Sequence, residues 1–270
     1  MTTLIRDRTI EDFGNQWTRF TDNSGYFGSL ELLCDFFHPI LDVGGLEGCR
    51  AAEIGSGTGR IVNMLLEAGA EHVVAVEPSD AFDVLVRNTR ARAEKVTCLQ
   101  TRGDQLPAFG DLDFVFSVGV MHHIPEPGPV VEAAYRALRP GGRFAIWVYG
   151  KEGNRLYLTF ARPLRAITQH LPHAPLNALV RALDLPLSLY IKACRRWPLP
   201  MQHYMTEVMG RLTPDKRRLG IYDQLNPAHA KYYTLQEAYD LLYDGGFRRI
   251  RFFHRHGYSW SLIGTKPEQP

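Results

Sequence analysis

The sequence predicts an α/β protein built on a mostly parallel, seven-stranded sheet with helices on both faces. Three observations predict it. Between residues 49 and 150, short apolar runs rich in Val and Ile alternate with stretches whose apolar residues recur at helical spacing, the mark of strand–helix–strand units. A glycine cluster, Gly55-Ser56-Gly57-Thr58-Gly59, falls where the first strand gives way to the first helix. Near the end, two strand-like runs meet tightly around Gly257, so the sheet closes on an antiparallel hairpin.

The elements follow in order. Residues 1–48 read as a helical entry, in which Phe13-Gly14-Asn15-Gln16-Trp17 and Tyr26-Phe27-Gly28 set aromatics beside glycines, a pattern that suits packing or a ligand wall. Residues 49–150 form the core. RAAEIG, HVVAVE, VTCLQ, DLDFVFSVGV and RFAIWVYG are strands; RIVNMLLEAG, DAFDVLVRNTRARA and GPVVEAAYRAL are helices, the last stopped by Pro140-Gly141-Gly142. Residues 151–232 break this rhythm. Their helix-like segments are cut by prolines at 163, 172, 175, 186, 198, 200, 214 and 227, and LNALVRALDL and SLYIKACRRW are each apolar on one side and basic on the other. They read as an inserted helical cap; the prolines argue against one long surface-lying helix. Residues 233–270 return to the sheet: Thr234-Leu235-Gln236-Glu237 has capping-box form and opens a helix running to Gly245-Gly246, before the strands FRRIRFFHRH and GYSWSLIGTK.

Composition limits the function classes. With 45% apolar and 22% charged residues among 270, the chain is neither disordered, collagen-like nor a coiled coil. No apolar run reaches the roughly 18 residues of a spanning helix, and the polar opening MTTLIRDRTIEDF is neither a secretory signal nor a transit peptide. Cys34, Cys49, Cys98 and Cys194 form no CxxC pair, which points to reduced thiols, a cytoplasmic location and no metal site. The net charge of +2 hides an asymmetry: residues 1–150 carry 13 Lys/Arg and 20 Asp/Glu, residues 151–270 carry 18 and 9. The second half is therefore suited to an anionic partner or simply to solubility.

The chemistry centres on Glu53-Ile54-Gly55-Ser56-Gly57-Thr58-Gly59. Glycines at a strand-to-helix turn let the backbone turn sharply and approach a ligand closely. Glu77 ends the next strand, where a carboxylate can accept from the hydroxyls of a ribose; Asp104 follows the third strand, where one can meet an adenine amino group. The spacing is GxGxG, not the GxGxxG that presents a helix N-terminus to a pyrophosphate, and Glu53 would repel a pyrophosphate but help seat a cation. S-Adenosylmethionine carries an ammonium, a sulfonium and a ribose, and no phosphate.

Over residues 49–150 the chain resembles the class I S-adenosylmethionine-dependent methyltransferases, of Rossmann-like fold and small-molecule type. AEIGSGTGR, VVAVEPS, RGDQLP, DFVFSVGVMHHIPEP and LRPGGRFAI match the family's five motifs in order. The resemblance implies that S-adenosylmethionine is the cofactor and S-adenosylhomocysteine the product. It implies that Gly55, Gly57 and Gly59 line the methionine end with Glu53, Ser56 and Arg60 about them. Glu77, with Pro78 and Ser79, would hold the ribose, Asp104 and Gln105 would flank the adenine, and Ser117, Val118 and Gly119 would lie near the sulfonium. FGNQW is similar to openings in which an aromatic covers the cofactor, here Trp17.

Candidate bases are His122 and His123, just past the fourth strand, and Asp223 between cap and resumed sheet; each histidine is equally suited to shaping the pocket. Tyr149, Asn154, Tyr222, His229, Tyr232 and Tyr233 are candidates for the acceptor side, although Tyr232-Tyr233 also fits plain core packing. The expected acceptor is a small molecule, methylated on a hydroxyl of a sugar, lipid precursor or secondary metabolite, and an anionic or lipid-linked one is compatible with the basic cap. Nucleic-acid or N/C acceptors, peripheral membrane contact by Arg181, Lys192, Arg195 and Arg196, and a monomer or homodimer stay open. Against a nucleic-acid acceptor, no RNA-binding module or Asn/Asp-Pro-Pro-aromatic motif is present. Two other classes, a nicotinamide-dependent oxidoreductase and a non-catalytic cofactor-binding module, fit the glycines, Glu53 and Glu77 less well.

Overall fold

The computed structural model describes residues 2–268, apart from the side chains of Thr2 and Leu156, so Met1 and residues 269–270 of the expected end segments lie outside it. Seven strands form one sheet in the order β3-β2-β1-β4-β5-β7-β6: β1 (Arg50–Ile54), β2 (His72–Val76), β3 (Val96–Leu99), β4 (Leu112–Val118), β5 (Leu138–Tyr149), β6 (Arg248–Arg255) and β7 (Ser259–Thr265). β1 to β5 pair parallel, and β7 runs antiparallel to both β5 and β6. The chain turns into β7 through Gly257, whose φ of 74° lies in the left-handed region that glycine adopts without a steric penalty.

Both sheet faces are covered, so β4 is largely apolar and its side chains are shared between two cores. Phe114, Phe116 and Val118 pack with α2 (Leu30–Phe37) and α3 (Arg60–Glu67). Leu112 and Val115 pack with α5 (Gly128–Ala137) and α10 (Leu235–Asp244) on the other side. From Phe114 onward the faces alternate with the period of two that burial on both sides requires, and the irregularity between Leu112 and Phe114 puts Leu112 on the face of Val115. Thr234 caps α10 as the sequence predicts: its hydroxyl accepts from the Glu237 N–H at 3.1 Å while the Glu237 carboxylate accepts from the Thr234 N–H at 2.8 Å. α1 (Thr2–Trp17) precedes α2, and α4 (Phe82–Thr89) joins β2 to β3.

Three local expectations are corrected. Pro140-Gly141-Gly142 does not merely stop α5; β5 begins at Leu138, pairs with Leu112, and absorbs the segment as a bulge with Gly141 at φ 76°. Pro163 lies inside α6 (Arg155–Thr168), and LNALVRALDL and SLYIKACRRW are not separate helices but parts of α7 (His173–Cys194), which runs through Pro186. Both prolines are on exposed faces, as are Thr159 and Ala182 four residues earlier. The carbonyls that a proline leaves unpaired therefore face water, which removes much of the cost of an internal proline.

α6, α7 and α9 (Pro214–Leu225), with the short α8 (Gln202–Tyr204) and a π-turn at Met205–Met209, make up the segment between β5 and α10. α7 and α9 share a small core of Leu176, Val180, Tyr222 and Leu225. They are pinned by a buried ion pair, Asp184 accepting from Arg217 at 2.5 and 3.2 Å and from Arg218 at 3.1 Å.

Candidate functional site

One cavity of about 710 Å³ runs from the glycine turn at the carboxyl end of β1, past β4 and β5, to the inner faces of α6, α7 and α9. That is the ligand end of an open α/β sheet, and the volume falls in the range of pockets that enclose small molecules, about 300–1,000 Å³.

The glycine turn has φ of 77°, 51° and 78° at Gly55, Gly57 and Gly59, which only glycine adopts cheaply. A Cβ on Gly55 would fall 2.5 Å from Val120, and one on Gly57 would fall 3.4 Å from the indole nitrogen of Trp17, so Trp17 roofs the turn. Gly59 faces Leu85 and Thr89 in the core instead and does not line the cavity. Glu77 ties the turn to β2: one carboxylate oxygen accepts from the Gly57 N–H at 2.7 Å, the other from the Ser79 N–H at 3.0 Å and the Ser79 hydroxyl. Ser79 is thus buried behind Glu77, while Pro78 lines the cavity. A carboxylate offers about four acceptor positions; three are filled, and the fourth is open to a ligand hydroxyl.

Glu53 is the unusual group. It lines the cavity at 1% exposure, and its Oε2 has no hydrogen-bond partner. Burial pushes its carboxyl up to about 8, against an opposing pull from Arg60. The Arg60 guanidinium lies 4.3 Å over the Phe27 ring and donates to the Phe27 carbonyl at 3.2 Å. An ammonium placed beside Glu53 would supply both the missing donor and the missing counter-charge. The donor set therefore fits a ligand that is cationic at this end and carries hydroxyls toward Glu77.

Farther along, Asp104 lines the cavity and is held by Arg102 through two bonds of 3.0 Å. Gln105 is exposed, accepts from Thr101 at 2.8 Å and does not line the cavity. Ser56, Val118 and Gly119 line it; Ser117 is fully buried beneath them with its hydroxyl near the Ile54 carbonyl.

The acceptor-side candidates separate into two groups. His123, Tyr149, Asn154, Asp223 and Tyr232 line the cavity. Asp223 accepts from the Tyr149 hydroxyl at 2.7 Å and from Gln16 at 3.1 Å. His123 Nδ1 lies 2.7 Å from the His229 carbonyl, an acceptor only, so Nδ1 carries the proton and Nε2 is left with a free lone pair and no partner. Burial pushes the His123 imidazole down to about 4, which keeps it neutral. Burial and the adjacent Asp223 hold the Tyr149 phenol well above its ordinary range. Asn154 donates to the Gly150 and Tyr258 carbonyls at 2.7 Å each and clamps the end of β5.

The remaining candidates stay outside. His122 is fully buried, its ring 3.8 Å from Tyr149, and does not line the cavity. Tyr222 turns to His173 at 2.9 Å, Tyr233 packs in the sheet core, and His229 contributes its carbonyl alone. Sequence reasoning missed Tyr157, Gln224 and Arg165. Gln224 accepts from Tyr157 at 3.1 Å and Tyr232 at 2.8 Å, and Arg165 braces both Gln224 and Tyr232. Gln224 stands beside Asp223 in sequence, but no local pattern marks α6 as its partner.

A methyltransferase-domain family model matches residues 52–146. The chain is 28% identical over 159 residues to an uncharacterized methyltransferase of Mycobacteroides abscessus, covering 55% of this chain and 61% of that protein. It is 33% identical over 104 residues to a tRNA U34 carboxymethyltransferase of Hahella chejuensis, covering 37% of this chain and 32% of that protein. It is 26% identical over 136 residues to a ubiquinone biosynthesis O-methyltransferase of Methylococcus capsulatus, covering 49% and 57%. The chain thus spans less than two thirds of these relatives. In fold it is similar to magnesium protoporphyrin IX methyltransferase of Synechocystis, solved with bound S-adenosylhomocysteine, at a TM-score of 0.53 and 16% identity over 98% of this chain and 99% of that one. Residues 52–146 thus match a methyltransferase domain, and the chain has the Rossmann-like fold of the S-adenosylmethionine-dependent methyltransferases.

Proposed function

We propose that this chain transfers the methyl group of S-adenosylmethionine to a hydroxyl of a small, largely apolar molecule seated under the helical segment 151–232. The observation that carries this is the single cavity joining the glycine turn to the His123–Tyr149–Asp223 cluster. When bound, the cofactor supplies an electrophilic methyl carbon, which passes to the acceptor by in-line displacement and leaves S-adenosylhomocysteine.

The chain's own groups do the rest. Glu53 faces the ammonium, Glu77 takes a ribose hydroxyl on its open acceptor position while fixing the Gly57 N–H, Asp104 stands at the adenine, and Trp17 covers the turn. His123 lines the cavity, and its proton-free Nε2 accepts the hydroxyl proton as the new O–CH3 bond forms. Asp223, which accepts from Tyr149 and Gln16, stabilises the imidazolium that results. Tyr149 orients Asp223, and Tyr157, Gln224 and Tyr232 form the polar end of an otherwise apolar acceptor wall. Exclusion of water by this wall limits the cofactor's hydrolysis and strengthens the electrostatics inside.

A nucleic-acid acceptor is the second reading, favoured by the tRNA-modifying relative. It fits the enclosed, apolar acceptor end less well. Titration calorimetry with S-adenosylmethionine, S-adenosylhomocysteine and NADH tests the cofactor, and transfer of labelled methyl to phenolic and aliphatic alcohols or to bulk tRNA tests the acceptor. Binding of NADH alone, or transfer to tRNA alone, refutes the proposal.

A further inference from the structure

The segment from α6 to α8 presents to solvent a surface that an enclosed cap does not need. On α7, Ala178, Ala182, Leu185 and Leu189 recur at helical spacing on one exposed face, with Leu185 at 68% and Leu189 at 59% exposure. Trp197, just past the end of α7, is 58% exposed, and Phe160 on α6 is 70% exposed. Apolar side chains of this size are common singly on a surface, but a helix whose outward face is apolar marks a contact.

The charges around them have one sign. Arg181, Lys192, Arg195 and Arg196 are exposed beside this face, and none of them is in an ion pair among the described residues. The one acid between residues 155 and 201 is Asp184, which is buried and already shared by Arg217 and Arg218. Phe160 and Met201 line the cavity and are also exposed, so the cavity reaches the surface at α6 and just past the end of α7.

We propose that the outward face of α7, with Trp197 and the flanking basic residues, docks on an anionic lipid bilayer and holds the mouth of the cavity against it. Leu185 and Leu189 enter the headgroup–acyl boundary, Trp197 sits at headgroup level, and Arg181, Lys192, Arg195 and Arg196 meet lipid phosphates. The docking is peripheral: no described helix is long and apolar enough to cross a membrane. An apolar face with basic flanks suits lipid better than nucleic acid, whose backbone gains nothing from exposed leucines. The docking stands on the surface alone; that an acceptor dissolved in the bilayer enters the cavity there rests also on the acceptor reading above.

Co-sedimentation of the full chain tests the docking, with vesicles of phosphatidylcholine alone and of phosphatidylcholine mixed with phosphatidylglycerol, together with Trp197 fluorescence. Binding is expected to the phosphatidylglycerol vesicles only, to weaken with added salt, and to shift the emission of the wild type but not of Trp197→Phe to the blue. Each of Arg195→Ala and Arg196→Ala is expected to weaken partitioning by about fivefold. Leu185→Ser/Leu189→Ser is expected to abolish it with an unchanged melting temperature, since neither leucine is buried. Equal binding to phosphatidylcholine alone, no binding at low salt, or undiminished binding by the double-serine variant overturns the proposal. So does a dimer in sedimentation velocity that the double-serine variant dissociates, or retention on bulk tRNA without vesicle binding. None of these readouts uses methyl transfer, so failure of the docking and failure of the proposed activity are distinguishable.

Discussion

Replacing Glu77 by Ala separates two jobs that one carboxylate performs. Glu77 holds the glycine turn through the Gly57 N–H and the following turn through the Ser79 N–H. Removing it leaves two buried backbone donors without partners, and each such orphan costs about 1–3 kcal/mol. Because Glu77 lines the cavity, water can reach part of the gap, so the lower half of the sum applies, about 2–4 kcal/mol. For a chain of this size that lowers the melting temperature by about 5–15 °C. The second loss appears only with ligand. A ribose hydroxyl donating to a carboxylate contributes about 1.5–3 kcal/mol, so the dissociation constant for S-adenosylhomocysteine rises about ten- to hundredfold. Thermal unfolding of the free protein and calorimetric titration below the lowered melting temperature measure the two effects independently. A variant that melts lower yet binds with wild-type affinity refutes the ribose role and leaves Glu77 a structural brace. Wild-type behaviour in both assays refutes the reasoning altogether.

Other outcomes follow from the same geometry. The Glu53 carboxyl titrates near 8 when folded against 4.5 as a free side chain. The folded chain therefore keeps a proton between those values, and Glu53's stabilising share is complete below about pH 4.5 and lost as pH rises through 8. Glu53→Gln is expected to flatten that part of the melting-temperature profile against pH. If the cofactor's ammonium ionises Glu53, binding below pH 8 releases a proton, seen as a calorimetric enthalpy that depends on buffer ionisation and vanishes in Glu53→Gln. His123→Ala and Asp223→Asn are expected to lower kcat by about 10²–10⁴ while leaving the affinity for S-adenosylhomocysteine unchanged; an unchanged kcat in both removes the base from this cluster. Arg217→Ala/Arg218→Ala strands Asp184 as a buried charge and is expected to cost about 3–5 kcal/mol in denaturant unfolding.

The core was legible because its residues answer to local rules. β4 announces a strand covered on both faces by five apolar or small residues in a row, Phe114 to Val118, and the capping box of α10 is written in four consecutive letters. The glycine turn was legible for the same reason: positive φ at three alternate residues admits little but glycine. The prolines of α6 and α7 misled because a proline's cost depends on where the carbonyl four residues earlier points, which is a property of the packed helix and not of the sequence around it.

The site divides along the same line. Residues that line the cavity from the glycine turn or from a strand end, such as Gly55, Glu53 and Glu77, hold positions fixed by β1 and β2, so spacing alone finds them. The acceptor side is assembled across large separations: Gln16 with Asp223, Tyr149 with Asp223, and Arg165 with Tyr232. Adjacent residues there face opposite ways, as Tyr222 turns to His173 while Asp223 lines the cavity, and Tyr232 lines it while Tyr233 enters the sheet core. His122 and His123 part in the same manner: His123 lines the cavity with Nδ1 held by the His229 carbonyl, whereas the fully buried His122 has no partner at either ring nitrogen and does not line it. A side chain held by a backbone carbonyl 106 residues away leaves no trace of that contact in the residues beside it. The chemistry of the methyl donor is therefore encoded locally, and the choice of acceptor is encoded in how the inserted helices return the chain to β5.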